Sequence, residues 1–97
     1  MKNLKFHPEV FKDIKNAYQW YEEQSEGLGK DFLEELESSY TAIWDFPKAW
    51  SPFSYGFRRY LLSRFPYSVI YKIDKQSIYI LVIMHNSRKP DFWLDRL

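Results

Sequence analysis

The side chains in this chain that could do chemistry are few, and all of them lie in its second half. They are basic, phenolic or imidazole groups: Arg58, Arg59, Arg64, Tyr67, Tyr71, His85 and Arg88. His85 ends an apolar segment close to a cation, a position that suits a general acid or base. A hydrogen-bonded structural histidine would have the same pattern. Clustered arginines suit either a phosphate or the carboxylates of a protein partner.

Several classes of site are excluded by residues that the chain lacks. It has no Cys, which excludes a disulfide framework, a thiolate metal site and a Cys nucleophile. Two distant histidines, His7 and His85, do not form a metal-ligand cluster. No Ser lies in a nucleophile elbow, and three Gly are too few for a phosphate-binding loop. We therefore expect neither a metal nor a cofactor.

The charges of the chain are divided between its two halves. Residues 1–49 carry six Lys and ten Asp or Glu, a balance of −4, while residues 50–97 carry eight Lys or Arg and three Asp, a balance of +5. The basic half could bind an anionic partner or an acidic protein segment, although solvated faces of helices and strands would produce the same division. The net charge of +1 argues against a protein that grips polyanions over its whole surface.

Two helices are predicted before residue 47. Leu4–Phe6 alternates like a short edge strand, and His7-Pro8-Glu9 is typical of a helix start, where His7 would cap or be solvated. Apolar residues then recur at helical spacing in two groups separated by Gly27-Leu28-Gly29. The first group is Val10, Phe11, Ile14, Ala17, Tyr18 and Tyr21; the second is Phe32, Leu33, Leu36, Tyr40, Ile43 and Trp44. The short connection predicts an antiparallel helical hairpin, and its acidic side chains are expected to be solvated surface.

Strands are predicted beyond residue 56. Residues 57–62, 69–73 and 78–84 are rich in β-branched and aromatic residues, and a polar turn joins the last two. Strand alternation places Arg58 and Arg59 on opposite faces, so one of them should face away from the helices. Residues 91–97 could be a short helix or an extended tail. The whole chain, 1–97, is thus predicted to be a single α+β domain, with an N-terminal strand and a helical hairpin packed on a small, mostly antiparallel sheet.

The segment 47–56 is predicted to be a loop, yet it is rich in aromatic residues. Phe, Trp and Tyr make up 21% of the whole chain, and rings not needed by the helices gather around this loop and the basic strand that follows. These rings could cover the core, or they could form a surface that a partner covers. In the second case the candidate partner-binding residues are Trp50, Phe53, Tyr55, Arg58, Arg59 and Tyr60.

The order of motifs resembles the RelE/ParE toxin superfamily of type II toxin–antitoxin systems, in its ParE-like, plasmid-stabilisation branch. The resemblance is carried by F-H-P-E-V at 6–10, W-Y-E-E-Q-S-E-G-L-G at 20–29, R-F-P-Y at 64–67 followed by Tyr71, and I-L-V-I-M-H at 80–85. It implies a cytoplasmic toxin without a membrane segment. It also implies neutralisation by a cognate antitoxin whose C-terminal segment folds on binding. A toxin homodimer is possible, but no sequence feature supports it.

The superfamily has two main activities, and the resemblance implies different residues for each. RelE-like members cut messenger RNA on the ribosome, which here would use Arg59, Arg64, His85 and Arg88. Leu61 and Ser68, however, stand where those nucleases commonly carry Lys or Arg, and Phe92 and Trp93 stand where some carry a catalytic Tyr. ParE-like members inhibit DNA gyrase and are not nucleases. We therefore expect a non-enzymatic gyrase inhibitor, with a ribonuclease, or a decayed toxin that keeps only antitoxin binding, as the alternatives.

Overall fold

One strand, two helices and four further strands follow one another in the computed structural model, which describes residues 3–89 and 91–97. They are β1 (Leu4–Phe6), α1 (Val10–Gln24), α2 (Leu28–Asp45), β2 (Ser51–Pro52), β3 (Arg58–Leu61), β4 (Tyr67–Asp74) and β5 (Ser77–His85). Two short 3₁₀ helices lie at Ser54–Gly56 and Phe92–Arg96. None of the helices in these residues has the length and apolar character needed to cross a membrane.

The strands form one sheet in the order β1-β5-β4-β3-β2, in which β1 is parallel to β5 and all other pairs are antiparallel. The predicted α+β class, edge strand, helical hairpin and mostly antiparallel sheet are confirmed. Strand β2 was missed, because Ser51–Pro52 is only two residues long and a proline is typical of loops and sheet edges. The C-terminal segment, which the sequence left open, forms the second 3₁₀ helix.

The turn between the helices depends on two glycines and one carboxylate. Gly27 adopts a positive φ of 86°, which favours glycine. A Cβ on Gly29 would stand 2.8 Å from the Tyr18 carbonyl oxygen, so only glycine allows the two helices to approach here. The Glu22 carboxylate accepts the N–H groups of Gly27 and Gly29 at 2.9 and 3.0 Å, and so caps the start of α2. These contacts explain the physical role of the 20–29 motif.

The main core lies between the helical hairpin and one face of the sheet. It contains fully buried side chains from both layers, including Val10, Phe32, Ile43, Val69, Tyr71 and Ile80. Two residues of the predicted helix stripes do not belong to it: Phe11 is 66% exposed, and Tyr18 is half-buried beside Gly29 at the turn between the helices. The helical spacing was correct, but Phe11 lies at the edge of the stripe, where its ring centroid is 6.0 Å from that of Phe6.

A second, smaller core lies on the opposite face of the sheet. Opposite Ile70 and Tyr71 the register of β5 shifts by one residue, so that Leu81 and Val82 both point to this face. The C-terminal 3₁₀ helix covers it with Trp93, which is 1% exposed. The indole N–H of Trp93 has no partner among the described residues. Burying a ring of this size contributes several kcal/mol, which exceeds the cost of roughly 1–3 kcal/mol for one unpaired donor.

An ion pair at the edge of the sheet joins the helical hairpin on one face to the C-terminal 3₁₀ helix on the other. Asp13 of α1 and Arg96 of the C-terminal helix form two hydrogen bonds of 2.7 and 2.8 Å. Arg96 also donates to the Leu81 carbonyl, and Asp13 accepts the Ile83 N–H. These two backbone groups lie on the edge of β5 that pairs with β1, beyond the point where β1 ends. The preceding hydrogen bond on that edge runs from the His7 N–H to the Ile80 carbonyl. The ion pair therefore completes the hydrogen bonding of β5 and anchors the C-terminal helix.

Removing this carboxylate should destabilise the protein strongly. The two side chains are only 13–14% exposed, so Asp13→Ala is expected to lower the free energy of unfolding by about 3 kcal/mol. The matched control is Asp31→Ala, which removes a pair with Arg64 whose members are 44% and 61% exposed and should cost less than about 1 kcal/mol. Urea unfolding measures both, and equal losses would contradict the role assigned to Asp13.

Candidate functional site

The candidate site is the sheet face opposite the helical hairpin, which we call the open face. At the β3–β4 end of this face lie Arg59, paired with Ile70, and Leu61, paired with Ser68. The second core and the C-terminal 3₁₀ helix occupy its centre. As strand alternation predicted, Arg59 faces away from the helices while Arg58 faces toward them.

Arg59 is held in place by two polar side chains. Its Nε–H donates to Ser68 Oγ at 2.9 Å, and its Nη2 donates to Asn86 Oδ1 at 3.3 Å. The Ser68 hydroxyl, which is fully buried, in turn donates to Asn86 Oδ1. A guanidinium has five N–H groups, so three of those on Arg59 remain without a protein partner among the described residues. The arginine is positioned, and it can still bind an anion.

Further cations on this face lie over aromatic rings of the second core. The Arg59 guanidinium is 5.7 Å from the Phe53 ring, Lys72 Nζ is 5.4 Å from Phe57, and the Arg88 guanidinium is 4.1 Å from Phe92. Such contacts orient a cation without neutralising it. In residues 3–89 and 91–97, the side chains of Arg59, Lys72 and Arg88 form no ion pair, so their charge is available to a partner.

The predicted partner-binding set divides between the two faces. Phe53 and Tyr55 lie on the open face, where both rings contact Trp93, and Tyr55 is 67% exposed with a positive φ of 59°. Trp50 and Tyr60 contact each other on the helix side and pack against the main core. The structure therefore brings Arg59 together with Phe53 and Tyr55, and does not bring Trp50, Tyr60 or Arg58 to that face.

Arg58 organises the loop between α2 and β3. Its Nη1 donates to the carbonyls of Lys48 and Trp50 at 3.2 and 2.8 Å. The Tyr71 hydroxyl donates to the Pro47 carbonyl of the same loop at 2.6 Å. These hydrogen bonds satisfy the loop backbone, so Arg58 acts within the fold.

The ribonuclease candidates are also divided. The His85 ring contacts Tyr67, whose own ring packs on Tyr21 and Phe32 of the helices, so His85 lies on the helix side. Its Nδ1 accepts the backbone N–H of Ser87 at 3.1 Å. Arg64 also lies on the helix side, where it pairs with Asp31 at 3.4 Å. Arg59 and Arg88 share the open face, but His85 and Arg64 do not join them there.

Three acidic side chains of the helices have structural roles, which corrects the expectation of plain solvated surface for these three, while Glu23, Glu26, Glu34 and Glu37 are exposed as expected. Glu22 caps α2, Asp13 binds Arg96, and the Glu35 carboxylate accepts the N–H groups of Ser63 and Arg64. In the part of the chain that the structure describes, no group of three or more His, Asp or Glu side chains could hold a metal ion.

Sequence reasoning missed Asn86 and Lys72 as members of this face and did not assign Ser68 a role here. A serine inside the β-branched run of β4 was one available signal, because a buried hydroxyl needs a partner. Nothing in the sequence indicates that Asn86, which follows β5, is that partner. Chemically, the open face can recognise an anion with a positioned guanidinium and two further cations.

The pH dependence of stability provides a test of the Tyr71 contact. Burial raises the pKa of Tyr71 to about 12, which the charge of Arg58 partly opposes. The unfolded chain releases this proton near 10.0, so its contribution to stability is lost as the pH rises from 10 through 12. In that window the unfolding free energy of the wild-type protein should fall as the pH rises. In the Tyr71→Phe variant this fall should be shallower, by up to about 1.4 kcal/mol per pH unit. Burial also raises the pKa of Tyr21 and Tyr67, so the fall should not vanish. Unfolding by guanidinium chloride at pH 8 to 12 measures the unfolding free energy of the wild-type protein and of Tyr71→Phe. Parallel pH curves for these two proteins would contradict the raised pKa of Tyr71.

The adjacent arginines of β3 should respond differently to the same substitution. Arg58→Ala leaves two loop carbonyls without their donor and is expected to cost about 2 kcal/mol of unfolding free energy. Arg59→Ala removes a half-buried side chain from the open face and should cost about 1 kcal/mol or less. Thermal unfolding and limited proteolysis at residues 46–52 compare them. A larger loss for Arg59→Ala would contradict the loop function of Arg58.

Comparison with known proteins agrees with this fold. Residues 4–90 match the family described as "ParE toxin of type II toxin-antitoxin system, parDE". No protein of curated function matches the sequence significantly. Among solved structures, a chain of the "Chromosomal ParDE TA system from P. aeruginosa" has the same fold: the TM-score is 0.77 at 20% identity, over 88% of this chain and 96% of that one. The protein belongs to the ParE toxin family of type II toxin–antitoxin systems.

Proposed function

We propose that this ParE-family protein inhibits DNA gyrase by binding it, without breaking a covalent bond, and that a cognate protein antitoxin neutralises it. The proposal rests first on family membership over residues 4–90. The observation that favours binding over catalysis is the separation of Arg59 and His85 on opposite faces of the sheet. A protein that inhibits gyrase by binding needs a stable surface complementary to gyrase, and it does not need an acid–base pair.

The alternative, a ribosome-dependent ribonuclease, needs groups that act on one phosphate. Cleavage by attack of a 2′-hydroxyl requires a base, an acid and a cation within hydrogen-bond reach of the same reacting atoms. Here the candidate imidazole, that of His85, contacts the Tyr67 ring and accepts the Ser87 N–H on the helix side. Leu61 stands where the RelE-like nucleases commonly carry Lys or Arg. In this protein it is an exposed apolar residue beside Arg59.

The proposed antitoxin contact is the open face. It combines a positioned guanidinium with exposed or half-exposed rings, and arginine and aromatic side chains are the usual anchors of protein interfaces. The antitoxin would cover Tyr55, Leu61 and the adjacent cations. The third alternative, a decayed toxin, shares this contact and differs only in lacking toxicity.

Two assays run side by side test the proposed target. Purified antitoxin-free protein is expected to inhibit ATP-dependent supercoiling of relaxed plasmid by gyrase at micromolar concentration, and to leave messenger RNA intact in a translating extract. His85→Gln is the matched variant: gyrase inhibition should persist, whereas a ribonuclease that uses His85 would lose message cleavage. Relaxation of plasmid by topoisomerase I is the control for non-specific DNA binding.

The outcomes separate the three alternatives. Uninhibited gyrase together with cleaved message would replace the proposal by the ribonuclease. Uninhibited gyrase, intact message and normal growth on expression would replace it by the decayed toxin.

A further inference from the structure

We propose that Arg59, Ser68 and Asn86 form a clamp for a carboxylate, and that the segment bound on the open face is acidic and of protein nature. This deepens the antitoxin contact proposed above and names its chemistry, but binding by the clamp does not require toxicity. Arg59 supplies the bonds to the partner. Ser68 and Asn86 are positioning residues.

The first step is the geometry of Arg59. Ser68 Oγ and Asn86 Oδ1 accept two of its N–H groups, and Asn86 Oδ1 also accepts the Ser68 hydroxyl proton. Ser68 is fully buried in β4. Asn86 is exposed, but its backbone N–H donates to the Pro66 carbonyl and its Oδ1 accepts the Ser68 hydroxyl proton, so both acceptors are held in place. A guanidinium held along one edge loses less conformational entropy on binding, and its free edge matches the two oxygens of a carboxylate.

The second step is charge. Lys72 and Arg88 lie on the same face, and in residues 3–89 and 91–97 neither side chain forms an ion pair or a hydrogen bond. The nearby acids of the C-terminal segment, Asp91 and Asp95, are exposed and do not pair with them. The face therefore has an excess of positive charge, which a segment carrying several carboxylates would complement.

The third step distinguishes an acidic protein from a single-stranded nucleic acid. Binding of single strands depends on open aromatic rings on which bases stack. On this face the rings of Phe53, Phe57 and Phe92 each have a cation against them, and the exposed ring of Tyr55 is a single stacking platform without a second open ring beside it among the described residues. The net charge of +1 gives little counterion release, and exposed Leu61 provides an apolar contact beside the clamp. These features favour a protein segment with acidic and apolar side chains.

The Nε–H signals of the arginines report binding directly. We would titrate the full-length ¹⁵N-labelled protein with a blocked peptide of five glutamates, and separately with a five-residue thymidine oligonucleotide, at the same ionic strength. The Arg59 signal is expected to shift with the peptide. The Arg64 signal, which belongs to the helix side, should not. Arg59→Lys should weaken peptide binding about tenfold, and Arg64→Lys, the matched control, should leave it unchanged.

Asn86→Asp tests the clamp with Arg59 still present. The new carboxylate would lie against the guanidinium and compete with the peptide, so binding should again weaken about tenfold while the melting temperature is maintained. Tighter binding of the oligonucleotide than of the peptide would overturn the proposal in favour of a nucleic acid. No shift of Arg59 with the peptide, or equal effects of Arg59→Lys and Arg64→Lys, would also overturn it. Peptide binding by a protein that leaves gyrase active would sustain the clamp and reject the gyrase target.

Discussion

Strand β5 buries side chains on both of its faces, and most of the architecture follows from covering them. Ile80 and Ile83 face the helical hairpin, whereas Leu81, Val82 and Met84 face the other side. Two helices are enough for one face only, so the C-terminal 3₁₀ helix must cover the other with Trp93. The Asp13–Arg96 pair connects these two covers and also satisfies the backbone of β5 where β1 ends.

Charge has a different use on each side of the molecule. On the helix side, three carboxylates form bonds within the fold, since Glu22, Glu35 and Asp13 accept backbone N–H groups or pair with arginine. On the open face, Arg59, Lys72 and Arg88 are held by rings and neutral side chains. A cation oriented by a neutral group keeps its full charge for a partner. The near-zero net charge of the chain therefore coexists with a locally basic surface suited to a protein ligand.

The sequence allowed most of the elements to be predicted, because their signals are local. Helical spacing, the glycine pair at 27 and 29, and β-branched runs indicate helices and strands through contacts a few residues apart. The errors concern contacts that are distant in sequence. Phe11 fits the helical period but lies at the edge of the helix stripe, beside β1, and is 66% exposed. β2 exists only because β3 offers it a hydrogen-bonding edge.

For the site, the sequence by itself determined the family motifs, the basic character of the second half, and the placement of Arg58 and Arg59 on opposite faces. Only the tertiary structure decided which of these groups meet. In the folded protein Arg58 donates hydrogen bonds to carbonyls of the 47–50 loop, and His85 lies on the helix side. Arg59 of β3 donates to Ser68 of β4 and to Asn86, which follows β5. The physical reason is that alternation along one strand is a local property, whereas the pairing register and the bulge in β5 arise from packing between strands.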